Sequence, residues 1–351
     1  QQGMAISYAG TFTSDFRVID YFSDGIGADS IGVTGLGQGT GLPSFASATV
    51  FERVSNGERI LAIRGTNNPA DFPTDVVSIF TFGSPKYQLQ YSILKEKVID
   101  WIGKGVLTPG FAVTGHSLGG FLAAALTADA GPEIGHTYLF NAPGFGGFRI
   151  SGMATSPDEW VSKLRSGSHS FNESKITNVT AEGGISLISG LGIPVGDRVN
   201  IAVETALQPS LNIVQLYTSH KIEKLTDALA VYDLLARIDP QVPLDTSTAI
   251  LQAATPDNRE SLERVLNVLA PLLGVQPTSS GDIPRDDLFS KIGEISNAIT
   301  TPSAYRIISL SDTGTERIVR LAQDDISVRY ALKQLDPFAL SGKNELFASF
   351  N

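Results

Sequence analysis

The sequence has no cysteine among its 351 residues, and that absence removes disulfides, thiolate metal sites and a cysteine nucleophile together. Histidine is scarce too, at four, so chemistry that needs an imidazole has few places to find one. Charged residues make up only 18% of the chain, and acids outnumber bases to leave a net charge of −10. That balance argues against nucleic acid as a partner and against electrostatic docking on an anionic membrane. No apolar run approaches the roughly 20 residues that span a bilayer, so no transmembrane segment is expected. Gln1-Gln2-Gly3 reads as a cloning remnant ahead of Met4. No charged stretch followed by an apolar one comes after it, so a conventional signal peptide is not expected either.

What is present is globular. Apolar residues are 42% of the chain, enough for a sizeable core, and the length allows one large domain with an accessory piece. Residues 1–45 are rich in Gly, Ser, Asp and Thr, loosest over 24–42, and are expected to form an N-terminal wrap. From residue 46 the pattern sharpens. Runs at 48–54 and 59–64, joined through Asn56-Gly57, read as a β-hairpin. Leu89, Ile93, Leu94, Val98, Trp101 and Ile102 form a helical stripe over 89–103. Strands are expected at 111–114, 137–141, 176–181, 199–203 and 213–217, with helices at 121–130 and 221–237. Strands alternating with helices imply an α/β fold with a mostly parallel central sheet flanked by helices. After Asp239-Pro240 the pattern turns helical, so the expected division is a catalytic domain over 46–240 and a helical accessory region over 241–351.

The segment Gly115-His116-Ser117-Leu118-Gly119 carries the chemistry. Gly-x-Ser-x-Gly is a weak pattern alone, but here it lies between an apolar strand and an apolar helix, the setting of the nucleophile elbow in α/β-hydrolases. The glycines let strand and helix approach while the serine is held in a tight turn above the sheet. A serine hydroxyl attacks only once a base takes its proton. His116 is too close in sequence to face Ser117, His136 begins a strand, and His169 lies in a Ser/Gly loop. His220, after the last expected strand and before a helix, is the candidate base. The acid that orients its imidazole is sought between the two: Glu182 follows the strand 176–181, and Asp197 opens a tight turn into the next strand. Glu182 is preferred, with Asp197 the alternative. An oxyanion hole would take the backbone N–H of Leu118 and, from the turn after residue 64, the backbone N–H and hydroxyl of Thr66. Gly65-Thr66 reads equally as an ordinary strand-ending turn.

Ala62-Ile63-Arg64-Gly65-Thr66, the run from Phe111 to Gly120, and Tyr138-Leu139-Phe140-Asn141-Ala142-Pro143 together resemble the fungal-type (class 3) triacylglycerol lipase family. The resemblance covers residues 46–237 and implies an α/β-hydrolase acting on carboxylic esters of lipids. It implies Thr66 as a side-chain oxyanion donor and an amphipathic lid over 67–84. It aligns Gly196-Asp197-Arg198 with a turn beyond the acid, and so Glu182 with the acid itself, although the family carries Asp there and its Asp-x-Val-Pro signature is absent. The region from Ser219 onward looks like hydrolase modules embedded in large secreted bacterial proteins, which implies an extracellular location, while the lack of cysteine fits a cytosolic enzyme equally. No cofactor is called for. A structural calcium ion, as in secreted lipases, would need a loop other than an EF-hand, whose spacing is absent. The expected partner is a lipid or ester substrate, as triacylglycerol lipase or phospholipase A1 at a lipid–water interface. A small-ester carboxylesterase, or a non-catalytic lipid-binding or adhesive module on the same fold, are the alternatives.

Overall fold

The computed structural model of the chain describes residues 6–24, 46–65, 85–144, 172–182, 195–204, 222–255, 260–279, 281–301, 304–342 and 347. Among them, seven strands form one sheet whose order in space is their order in sequence. They are β1 (Phe16–Ser23), β2 (Ser47–Arg53), β3 (Arg59–Ile63), β4 (Phe111–His116), β5 (Ile134–Phe140), β6 (Ile176–Glu182) and β7 (Asp197–Ala202). The first two pairings are antiparallel, and β3–β4, β4–β5 and β5–β6 are parallel. Between β2 and β3 only residues 54–58 intervene, enough for a reversal of direction, whereas a parallel neighbour needs a longer crossover. The Asn56-Gly57 turn is as expected, with Gly57 at φ 73° and its N–H on Arg53 O at 2.8 Å. Helix α2 (Pro85–Gly103) crosses from β3 to β4, and α3 (Leu118–Ala130) from β4 to β5. The arrangement is an α/β-hydrolase fold.

Two compact units share the chain: Thr11–Thr180 with Ser186–Asn200, and Ile201–Asn351 with Gln1–Gly10 and Ala181–Ile185. In the first, the core gathers Leu61, Trp101, Phe111, Val113, Leu139 and Ile176. Helix α3 is buried from Leu118 to Ala128, as its apolar composition on every face requires. Helix α2 turns Leu94, Val98 and Trp101 inward and is joined to α3 by a polar knot. Tyr91 donates to Asp129 Oδ2 at 2.5 Å and Lys95 Nζ lies 2.7 Å from the same oxygen. Trp101 is fully buried and its indole N–H reaches Asp20 Oδ2 at 2.6 Å, tying α2 to β1. Truncating a buried aromatic of this size costs about 3–5 kcal/mol.

The N-terminal segment expected only as a wrap holds α1 (Ile6–Asp15) as well as strand β1. A shift of register between Val18 and Asp20 breaks the alternation by which a strand is recognised in sequence. The expected strand at 213–217 and the expected lid at 67–84 lie outside the described residues.

The second unit carries α4 (Ile222–Ile238), which the expected division at 240 placed with the catalytic domain, and α5 (Leu244–Ala254), α6 (Ser261–Leu272), α7 (Arg285–Ala298), α8 (Thr315–Asp324) and α9 (Ile326–Gln334). Its core includes Leu225, Val231, Leu235, Val265, Leu266 and Leu269. A small antiparallel pair, β8 (Arg306–Ser309) with β9 (Phe338–Ser341), was not expected, because four residues are too few to show a period. Asp239, after α4, accepts the N–H of Ile307 at 3.0 Å and so fixes where β8 begins.

Candidate active site

Ser117 occupies the single residue between β4 and α3 and has φ 56° and ψ −124°, a backbone conformation that an L-residue adopts only under constraint. Its N–H donates to Phe140 O at 3.0 Å, and its carbonyl accepts from Phe121 N at 3.1 Å. The first bond anchors the turn to the end of β5, and the second starts α3. Leu118 follows as the first residue of the helix, where amides lack intrahelical acceptors and face the positive end of the helix dipole.

The glycines around Ser117 are there because no side chain fits. A Cβ on Gly115 would collide with the backbone of Gly119 and lie 2.6 Å from Gly120 N. One on Gly119 would strike Ile63 O and sit 2.8 Å from Arg64 C and 2.9 Å from Gly65 N. Strand β4, the start of α3 and the exit of β3 therefore touch backbone to backbone. Gly65 belongs to the same contact: its Cβ would lie 2.5 Å from His116 O. The chain just before Thr66 thus abuts the elbow, although Thr66 itself lies outside the described residues.

Sequence reasoning attached no geometry to Asn141 and Ala142, and the structure supplies one. Asn141 is fully buried with φ 47°, and its N–H donates to Val179 O at 2.9 Å. Asparagine tolerates this left-handed conformation better than most residues, so β5 can turn sharply at its end. Ala142 stands where a Cβ on Gly120 would meet its methyl at 2.6 Å, so both positions must be small. Periodicity could not have found either requirement; only the close approach explains them.

The two candidate acids stand at different ends of one strand. Glu182 is the last residue of β6 and is exposed, and its carbonyl accepts from Val203 N at 3.3 Å. Asp197, also exposed, opens β7 just after Gly196, which is packed so tightly on Ile176 that a Cβ would strike Ile176 O. Asp197 therefore lies beside the first residue of β6, six residues before Glu182 in a strand that runs parallel to β5, as β5 does to β4. His220 lies outside the described residues; α4 begins two positions after it. Among the described residues there is no group of three or more His, Asp or Glu that could hold a metal ion, and no helix long and apolar enough to cross a membrane.

No family model and no curated protein matches the sequence. Solved structures similar to the chain include the Lip2 lipase of Yarrowia lipolytica, at 20% identity and a TM-score of 0.34, over 56% of this chain and 68% of that one. A lipase–propeptide complex of Rhizomucor miehei matches at 16% identity and TM-score 0.33, over 56% of this chain and 64% of that one, under two thirds of its length. A triacylglycerol lipase of Penicillium expansum matches at 14% identity and TM-score 0.32, over 56% and 76%. The fold is read from strand order and elbow geometry rather than from superpositions this loose.

Proposed function

We propose that the chain is a serine hydrolase that cleaves carboxylic esters of lipids, with Ser117 as nucleophile. The observation that carries this reading is the backbone of Ser117, held at φ 56° and ψ −124° between a parallel strand and a buried helix. A serine with no chemical task has no reason to bear that strain. In this reading Ser117 Oγ attacks the ester carbonyl carbon while His220 takes its proton. The C–O π pair moves onto oxygen, which the Leu118 N–H and Thr66 stabilise. The oxyanion collapses, the alcohol leaves with the proton from His220, and an acyl-serine remains. Water, deprotonated by the same imidazole, then releases the acid. Glu182, at the end of β6, is favoured as the carboxylate that orients the imidazole; Asp197 belongs beside the opposite end of that strand.

A lipid substrate follows from the resemblance of the three motifs to class 3 lipases, and an extracellular site of action belongs to the same reading. A fluorophosphonate probe, followed by mass spectrometry, is expected to place one adduct on Ser117 and none in Ser117→Ala. Silence with and without detergent, in folded protein, would overturn the reading and leave a non-catalytic module. Hydrolysis that rises with acyl length and steepens above the substrate's solubility limit marks a lipase; preference for short soluble esters marks a carboxylesterase.

A further inference from the structure

Five ionisable side chains meet inside the second unit, away from any role in the chemistry above. Glu204, two residues past β7, accepts the N–H of Leu262 at 2.8 Å and lies 3.7 Å from Lys224 Nζ. Asp227, on α4 like Lys224, pairs with Arg285 at 2.5 Å, at the start of α7. Glu263, in the first turn of α6, is the fifth. It is 4% exposed, and among the described residues its Oε2 has no partner at hydrogen-bond distance. Its Oε1 accepts the N–H of Ile283 at 3.4 Å. The set therefore holds three acids and two bases, and each base is engaged by another acid. Among the described residues Glu263 is the acid left without a cation, and the charge of Glu204, which accepts the N–H of the preceding Leu262, acts on it.

A buried carboxylate in that position is costly, and a carboxylic acid is not. Burial first, and then the Glu204 charge, push the Glu263 carboxyl up to about 7. The elements that meet here matter for the site. Glu204 is where the chain leaves β7, and Lys224 and Asp227 lie in the first two turns of α4. Between residues 204 and 222 the sequence carries His220. Tyr232, on α4, adds a second tie by accepting the N–H of Ala202 at 2.9 Å, and burial pushes its phenol up, so it stays neutral.

We propose that Glu263 is held protonated in the folded protein, so that the end of β7, α4 and α6 pack firmly while that proton is held and loosen when it is lost, and that this proton governs how firmly the chain is fixed at Glu204 and at the start of α4. The functional half of this rests on the serine-hydrolase reading; the structural half does not. Because the native carboxyl binds its proton more tightly than an unfolded one, the stability it contributes is complete below about pH 4.5 and is lost as pH rises towards 7. Glutamine at 263 imitates the protonated acid permanently.

The test is thermal unfolding of the full chain from pH 5 to 9, for wild type, Glu263→Gln and Glu204→Gln, with ester hydrolysis or probe labelling measured alongside. The difference in Tm between wild type and Glu263→Gln should change with pH through a midpoint near 7, the variant being relatively more stable above it. Glu204→Gln should move the wild-type midpoint down. On the activity side, kcat of the wild type should fall across the same midpoint with KM steady, and Glu263→Gln should remove that limb. Parallel Tm profiles for wild type and Glu263→Gln overturn the proposal. If Glu263→Gln does not fold, an unmoved midpoint in Glu204→Gln overturns it equally. A protein that never hydrolyses or labels, but shows the Tm midpoint, keeps the proton clamp and loses only the catalytic reading.

Discussion

Replacing Ser117 by glycine should make the protein more stable as it makes it inert. At φ 56° and ψ −124° the residue lies where an L-side chain costs about 1–3 kcal/mol of backbone strain. Ser117→Ala keeps the Cβ and so keeps the strain; Ser117→Gly releases it. Against that, glycine has more freedom to lose on folding, which returns about 0.5–1 kcal/mol. The net advantage of glycine over alanine is therefore about 1 kcal/mol, or about 2–4 °C in Tm for a folding unit of 150–250 residues. The assay is paired thermal and urea unfolding of the two variants, neither of which can take up a fluorophosphonate at this position. The alanine variant is the reference because it removes the same hydroxyl. A glycine variant no more stable than the alanine one would refute the claim that the turn stores strain, and would take with it the observation on which the functional reading rests.

Gly119→Ala should fail for the opposite reason. Its methyl would meet Ile63 O, Arg64 C and Gly65 N, all backbone, so β3 and α3 must part at a cost of about 1–3 kcal/mol, and melting temperature and labelling rate should fall together. Gly103→Ala, with nothing within 4 Å of the new methyl, is the control and should match wild type in both. For the acid, Glu182→Gln is expected to lower kcat/KM by about 10³–10⁴-fold, the scale of a wrong imidazole tautomer, while Asp197→Asn stays close to wild type. The reverse pattern in steady-state kinetics would assign the role to Asp197.

The parts of the fold visible in sequence are those where a single period decides. The hairpin, α2, β4, α3, β5, β6, β7 and α4 each carry a clean stripe, an alternation or an apolar run with turn residues at its ends. Strand β1 was hidden by its irregular register at Val18 and Asp20, and β8 and β9 by their brevity. The strand-to-helix turn at Ser117 was legible because the Gly-x-Ser-x-Gly pattern lies between an apolar strand and an apolar helix. The need for Gly65 and Ala142 was not, because it arises from backbones and a methyl that meet across the fold, which no local pattern encodes. The acidic pair was silent for the same reason: Glu204 and Glu263 are 59 positions apart and look like two solvated glutamates until α6 is packed.

A sheet whose strands lie side by side in the order they are translated has a consequence during synthesis. Each strand leaving the ribosome finds its docking edge already built by the one before, so the sheet can lengthen vectorially without waiting for a distant segment. Ser117 is the exception within this order. Its N–H is held by Phe140 O, at the far end of β5, so the strained turn can be locked only after 23 further residues have appeared and β5 has paired. A nascent chain stalled before that point would carry every atom of Ser117 with nothing to hold it in that turn.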